Sequence, residues 1–402
     1  MSANSDSPQP LAPRLFSGVD EPKAAAAPQV PLSSPDITEA EIEAVTAVLR
    51  TPHLSLGPEL AAFEAALAAY HSVPVALCVS SGTAGLHLAL LTLGIGEDDE
   101  VIVPSFAFVA VANAVLQLRA TPVFAEIDPV TLNLDPAAVE RAVTARTKAI
   151  LVVHTFGVPA QMDMLLSIAR KHKLTVIEDA CEAIGAEFEG KRAGSFGDLA
   201  VLGFYPNKQM TTGEGGAVLA RDPAHAARLR SLRNQGRAPN GEWLDLVESG
   251  YNYRLSDMAC ALGRVQLSRI DEMLALRQFA AERYDVLLKE IPGLELPPLA
   301  LPSRKISWFV YVVRLPEGVE RDRVQAALAQ RGIATGRYFG PIHLQPDWRA
   351  YSSANAVKLP VTEAIARRTL ALPFFNRIMM SQQEEVAAAL RDAIYAVQMD
   401  KG

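Results

Sequence analysis

The chain has 402 residues, of which 50% are hydrophobic, and a formal net charge of −7. That length and apolar content suffice to bury a large core and suit two domains of a soluble enzyme. The acidic balance and the lack of a clustered Lys/Arg run exclude a nucleic-acid backbone as partner. Cys78, Cys181 and Cys260 lie far apart and match neither a metal spacing nor a disulfide framework, which points to a reducing cytoplasm, and no histidine pair has metal-type spacing.

Residues 1–30 hold Ser, Pro and an Ala run with acidic residues but no hydrophobic core region, so they are expected as a disordered leader and not a signal peptide. The first chemical signal is Val75-Ala-Leu-Cys-Val79, then Ser80-Ser-Gly-Thr-Ala-Gly85 and the helical pattern Leu86 to Leu93. A strand, a small-residue turn and a helix start form an anion site, because first-turn N–H groups and the helix dipole favour phosphate and Gly82 allows close approach. The most apolar stretch, Val101 to Leu118, is broken by Pro104, Ser105, Asn113 and Gln117 and falls short of the roughly 20 apolar residues of a membrane span.

Strand-type runs follow at Val101–Val103, Ala149–Val153, Leu174–Ile177 and Leu199–Leu202, alternating with helical segments. That alternation predicts an α/β fold with a mainly parallel sheet between helices. Asp179 closes the third run, and strand ends in open sheets are where ligand-contacting residues collect. Gly185-Ala-Glu-Phe-Glu-Gly190-Lys191 mimics a P-loop, but Arg192 stands where a Ser/Thr should hold magnesium, and no Gly-x-Gly-x-x-Gly opens a helix after a strand. His87, in an apolar helix, is expected as a satisfied core or surface residue.

The decisive stretch is Phe204-Tyr-Pro-Asn-Lys208-Gln-Met-Thr-Thr-Gly-Glu-Gly-Gly216. A lysine amine can hold an aldehyde as a Schiff base, and an aspartate can keep a pyridine nitrogen protonated so that the ring withdraws electrons from a bound amine. Lys208 with Asp179 is therefore the pairing that pyridoxal phosphate chemistry needs. No acidic residue follows Lys208 until Glu214, so no local ion pair is expected to hold the amine. Met258 to Glu290 reads as one long amphipathic helix linking the domains, and Trp308–Val313 as the first strand of a smaller α+β unit with a helix at Arg321–Arg331.

Taken together, Gly57-Pro58 with Phe63-Glu64, Ser81-Gly-Thr83, Pro104-Ser-Phe-Ala-Phe108, Glu178-Asp-Ala-Cys-Glu182, Gly194-Ser-Phe-Gly-Asp198, the Lys208 loop, Gly250-Tyr-Asn-Tyr-Arg254 and Gly340-Pro-Ile-His343 resemble the DegT/DnrJ/EryC1/StrS family of sugar aminotransferases. The resemblance runs from about Pro31 to the C-terminus. It implies a fold-type I pyridoxal phosphate enzyme with a cofactor-binding large domain over 31–260 and a linking helix and small domain over 261–402. It implies that Lys208 holds the cofactor and shuttles the proton, that Asp179 binds the pyridine nitrogen, that Phe108 stacks on the ring, and that Gly82, Thr83 and Ala84 hold the phosphate. Glu182 matches a polar position near the cofactor's phenolic oxygen. Asn252 matches a phosphate contact from the neighbouring subunit, which implies a homodimer with shared sites, and Arg254 and His343 are matched candidates for substrate contact. Where the family usually has serine, this chain has Gly203, which removes one phosphate contact.

The same resemblance implies glutamate as amino donor and a nucleotide-linked keto sugar as acceptor, in polysaccharide or O-antigen biosynthesis. The Thr-Thr-Gly-Glu-Gly-Gly loop resembles that of 4-aminotransferases of the perosamine synthase kind, so the amine is expected at C4 of a 4-keto-6-deoxy sugar, with a 3-keto sugar as the alternative. Dehydratase relatives carry histidine in place of the lysine, and a regulator without turnover needs no Lys/Asp pair; Lys208 and Asp179 argue against both.

Overall fold

The computed structural model describes residues 29–238, 244–348, 351 and 357–400. Strands β1 (Val75–Val79), β2 (Glu100–Pro104), β3 (Thr121–Ala125), β4 (Thr147–Val153) and β5 (Thr175–Asp179) are followed by a hairpin of β6 (Glu187–Phe188) and β7 (Lys191–Arg192), then β8 (Leu199–Gly203) and β9 (Gly216–Ala220). Seven of them form one sheet in the order β1-β9-β8-β5-β4-β2-β3. Every neighbouring pair is parallel except those that β9 makes with β1 and β8. The P-loop mimic falls on the β6–β7 hairpin, not on a strand, loop and helix.

Successive residues of a strand point to opposite faces, and here both faces are covered. Val101, Val103, Leu151, Val153 and Ile177 pack into one core with helices α3, α4 and α7, while Ile102, Ile150, Val152 and Val176 pack into another with α5 and α6. These helices are, with α1 (Glu39–Leu49) and α2 (Pro58–His71) preceding them, α3 (Gly82–Thr92), α4 (Ala110–Gln117), α5 (Pro136–Ala142), α6 (Met162–His172) and α7 (Pro223–Arg233). The Gly57-Pro58 motif opens α2 against a distant carboxylate. Asp257 accepts the N–H groups of Gly57, Glu59 and Leu60 at 3.0, 3.2 and 3.0 Å, satisfying donors that a helix start leaves orphaned. A Cβ at position 57 would stand 2.4 Å from that carboxylate.

The expected linking helix is two helices, α8 (Asp257–Ser268) and α9 (Ile270–Leu288). The chain leaves helical geometry at Arg269, whose guanidinium reaches Glu41 at 2.7 Å and Asp36 at 3.4 Å. Leu267 and Met273 belong to the large sheet's side, whereas Ala280, Tyr284 and Leu288 pack with the C-terminal unit. β10 (Arg304–Lys305) pairs antiparallel with β6 of the hairpin, and the C-terminal unit contains β11 (Tyr311–Arg314), α10 (Arg321–Gln330), α11 (Pro360–Arg368), β12 (Thr369–Leu372) and α12 (Met380–Met399), with β11 antiparallel to β12. The strand expected from Trp308 begins only at Tyr311, because Trp308 takes a left-handed φ of 49°.

Of the expected leader, residues 1–28 lie outside the described residues. Val30 is buried, bridges Ile333 and packs into the C-terminal unit. Among the described residues no helix is long and apolar enough to cross a membrane. A cluster built from both parts of the chain, Phe106 and Phe156 with Phe309, Phe339 and Ile365, closes the join where the site lies.

Candidate active site

The parallel strands β1, β2, β5 and β8 all end at one edge of the sheet, and each delivers a piece of the site there. Asp179 is the last residue of β5 and is 8% exposed. Its Oδ1 accepts the Cys181 N–H at 3.0 Å, and its carbonyl accepts the His154 N–H at 3.1 Å. The preceding Glu178 faces the other way and is fully buried. Its carboxylate accepts the N–H groups of Gly194, Phe196 and Gly197, each at 2.7 Å, so the Gly194–Asp198 motif is a loop folded round one carboxylate. His154 accepts the Ala160 N–H at Nδ1, so Nε2 carries the proton it donates to Glu178 at 2.9 Å. Burial opposes ionisation of Glu178, but His154 and these N–H groups outweigh it and hold the carboxyl below its ordinary range.

Lys208 sits on the loop between β8 and β9, whose ends are fastened by the Gly203–Gly216 pair. Its amine is 3.7 Å from Glu182 Oε1 and 3.9 Å from the centroid of the Phe309 ring. The ion pair that the sequence around Lys208 does not offer is therefore supplied by the turn after β5. Glu182 Oε2 accepts the Phe156 N–H at 2.9 Å. Burial pushes the Glu182 carboxyl up, with Lys208 pulling it the other way. Thr211 and Thr212, of the loop that resembles 4-aminotransferases, both turn inward: Thr211 Oγ1 donates to the Phe204 carbonyl at 2.9 Å and Thr212 Oγ1 to the Glu214 carbonyl at 2.7 Å. They shape the lysine loop itself.

The start of α3 completes the cradle. Ser81 caps it by accepting the Ala84 N–H at 3.1 Å, and the first intrahelical bond runs from the Gly85 N–H to the Ser81 carbonyl at 3.0 Å. The N–H of Ala84 is thus committed to Ser81, and Gly82 and Thr83 carry the first-turn donors that precede the helical ladder. A Cβ on Gly82 would lie 2.8 Å from Cys181 Sγ, and one on Gly203 would lie 3.1 Å from both Cys181 Cβ and Sγ. The Cys181 side chain occupies the room that a larger residue at 203 would need, and burial pushes its thiol well up.

The remaining expected residues fall in different places. Phe108, beyond β2, is 63% exposed and available to a ring. Asn252 is exposed, and Arg254 donates to Asn234 Oδ1 at 2.8 Å. His343, expected as a substrate contact, is 2% exposed, with Nδ1 2.6 Å from Ser105 Oγ and Nε2 3.4 Å from Glu363; burial and these partners make it a latch between β2's end and the C-terminal unit. Phe309 was outside every motif of the sequence, and its position over an amine 101 residues earlier left no local signal.

An amine, a buried carboxylate at a strand end and a glycine-opened helix start fit pyridoxal 5′-phosphate, and they define a pyridoxal-phosphate-dependent transferase built on a doubly wound sheet. The chain belongs to the DegT/DnrJ/EryC1/StrS aminotransferase family, which it matches over residues 35–391. It is 40% identical over 368 residues to a GDP-perosamine synthase of Caulobacter vibrioides, covering 90% of this chain and 98% of that one. It is 37% identical over 378 residues to the spore coat polysaccharide biosynthesis protein SpsC of Bacillus subtilis, covering 91% and 97%. Among solved structures, DesV of S. venezuelae in complex with a ketimine intermediate is 38% identical, with a TM-score of 0.83 and coverage of 92% and 99%. The protein is an aminotransferase that uses pyridoxal phosphate.

Proposed function

We propose that the protein moves an amino group from glutamate to C4 of a nucleotide-linked 4-keto-6-deoxy sugar, for polysaccharide biosynthesis. The carrying observation is the convergence of Lys208, Asp179 and the α3 start on one edge of the sheet. The bound cofactor supplies an aldehyde that takes up the donor's amine and a pyridine ring that draws electrons from the neighbouring carbon. Lys208 Nζ would hold that aldehyde and, as the base nearest it, would move the proton to and from the donor's Cα. Asp179 would hold the ring nitrogen and keep it protonated. The Gly82 and Thr83 N–H groups would hold the phosphate, and Phe108 and Glu182 would line the space for the ring.

The acceptor class rests on the similarity to GDP-perosamine synthase, since Thr211 and Thr212 are bound to main chain and carry no argument for C4. Exposed Asn252 suits a reach into a second copy's site, hence a homodimer. Three free thiols suit the cytoplasm. The test is a panel of GDP- and dTDP-linked 4-keto- and 3-keto-6-deoxyhexoses with glutamate, read by product NMR. Nitrogen at C4 is expected; amination of 3-keto sugars alone overturns the assignment.

A further inference from the structure

Arg277 of α9 is 1% exposed, and among the described residues its hydrogen bonds go to main chain and to no carboxylate. Its hydrogen bonds run to three main-chain carbonyls: Nη1 to Trp308 and Phe309, both at 3.1 Å, and Nη2 to Lys208 at 3.3 Å. Nε is buried with no partner, and burial lowers the guanidinium to about 9. A cation placed so is costly, and an apolar side chain of the same volume would pack there without that desolvation. What the guanidinium provides is reach: its planar fork grips two separate chain segments from two nitrogens in fixed geometry, whereas the donors of an ammonium radiate from a single nitrogen on a flexible stem.

Both segments meet at the reactive amine. One carries Lys208; the other carries Phe309, whose ring centroid is 3.9 Å from Lys208 Nζ. The second segment is also strained. Trp308 holds a φ of 49°, a conformation bulky residues rarely adopt and keep only where the surroundings enforce it. Two neighbours on α9 enforce it, Arg277 on the Trp308 carbonyl and Gln278 Oε1 on Trp308 Nε1 at 2.6 Å.

We infer that Arg277 is a positioning residue for the transfer reaction, fixing the Lys208 amine in register with the Phe309 ring across the join of the two units. It touches neither cofactor nor substrate. The inference rests on Lys208 being the reactive lysine, as proposed above, and deepens that reading.

The test compares Arg277→Lys, Arg277→Met and Phe309→Leu with the wild type as cofactor-loaded enzymes. Three quantities are read: melting temperature, circular dichroism of the bound cofactor's visible band, and the rate and KM of the half-reaction with glutamate. Arg277→Lys should fold and bind cofactor, lose about tenfold to a hundredfold in half-reaction rate, leave KM nearly unchanged and alter the dichroic band. Phe309→Leu, which leaves the carbonyls gripped by Arg277 in place, should reproduce the kinetic and dichroic changes. Should Arg277→Met fail to fold, the other two variants decide. Wild-type rate and dichroism in Arg277→Lys, or in Phe309→Leu, overturn the inference, because a filler role moves the melting temperature alone. Borohydride capture followed by peptide mapping separates this from a wrong lysine: label away from Lys208 would remove the underlying reading instead.

Discussion

The Lys208 amine and the Glu182 carboxyl stand 3.7 Å apart, joined by the fold and not by their neighbourhood in the chain. Burial outweighs the attraction of Lys208, so Glu182 is harder to ionise in the folded chain than in the unfolded one. A carboxyl with a raised folded pKa lends stability below its unfolded value of 4.5 and withdraws it as the pH climbs through the folded value. Cofactor-free Glu182→Gln, which still accepts the Phe156 N–H, should melt level with the wild type near pH 4 and above it at pH 7. A wild type more stable than the variant at pH 7 would mean that the ion pair wins over burial.

Lys208→Ala should abolish turnover with little change in melting temperature, since the side chain keeps 15% exposure and only its amine end meets the Phe309 ring. Asp179→Asn, which keeps the shape but loses the charge, should slow the half-reaction by about a hundredfold to a thousandfold, as for other lost electrostatic stabilisers. Stopped-flow absorbance of the bound cofactor measures both. Normal half-reaction rates in either variant would reject that residue's role.

Gly203 and Cys181 form a space-sharing pair, and the third expectation concerns their order of substitution. Gly203→Ser alone puts a Cβ 3.1 Å from two Cys181 atoms, and overpacking of this kind costs about 1–3 kcal/mol. Cys181→Ala combined with Gly203→Ser should recover that loss and bind cofactor more tightly than either single variant. Denaturant melts and cofactor titrations of the four proteins form a double-mutant cycle, and additive effects would show that the two side chains do not compete for room.

Asn252 is exposed on its own protomer. Mixing inactive Lys208→Ala with weakened Asn252→Ala should restore part of the activity as subunits exchange, because one mixed site then carries neither lesion. No recovery in a mixture whose exchange is verified by labelled subunits, or sedimentation of a fully active monomer, would sink the shared site.

What the sequence disclosed, it disclosed through local pattern. Asp179 closing an apolar run, a glycine turn opening α3 and Lys208 in a Gly/Thr loop are each written within a few residues, and each lies where expected. The contacts that tune them are not local. Glu182 meets Lys208 only after β5 and β8 pair, and Phe309 arrives from beyond a helix pair whose break at Arg269 the apolar periodicity runs straight through. Trp308 carried a strand's composition, yet tertiary hydrogen bonds from α9 pull it out of the strand. His343 and the two threonines matched functional motifs, and burial showed that hydrogen-bond partners inside the protein had already claimed them.

In the seven-stranded sheet β9 alone runs against its neighbours, and this decides how Lys208 is mounted. A parallel return from β8 would have to cross over to the opposite edge of the sheet, carrying Lys208 off with it. With β9 reversed, the chain turns back at the same edge, and the lysine rides a short bracket bolted to the sheet at Gly203 and Gly216. The Lys208 side chain can turn about its own bonds while the Gly203–Gly216 pair holds the ends of its loop in the sheet. An insertion inside this bracket would lengthen the lever and detune the stroke, whereas one of equal length in the β6–β7 hairpin would leave it untouched.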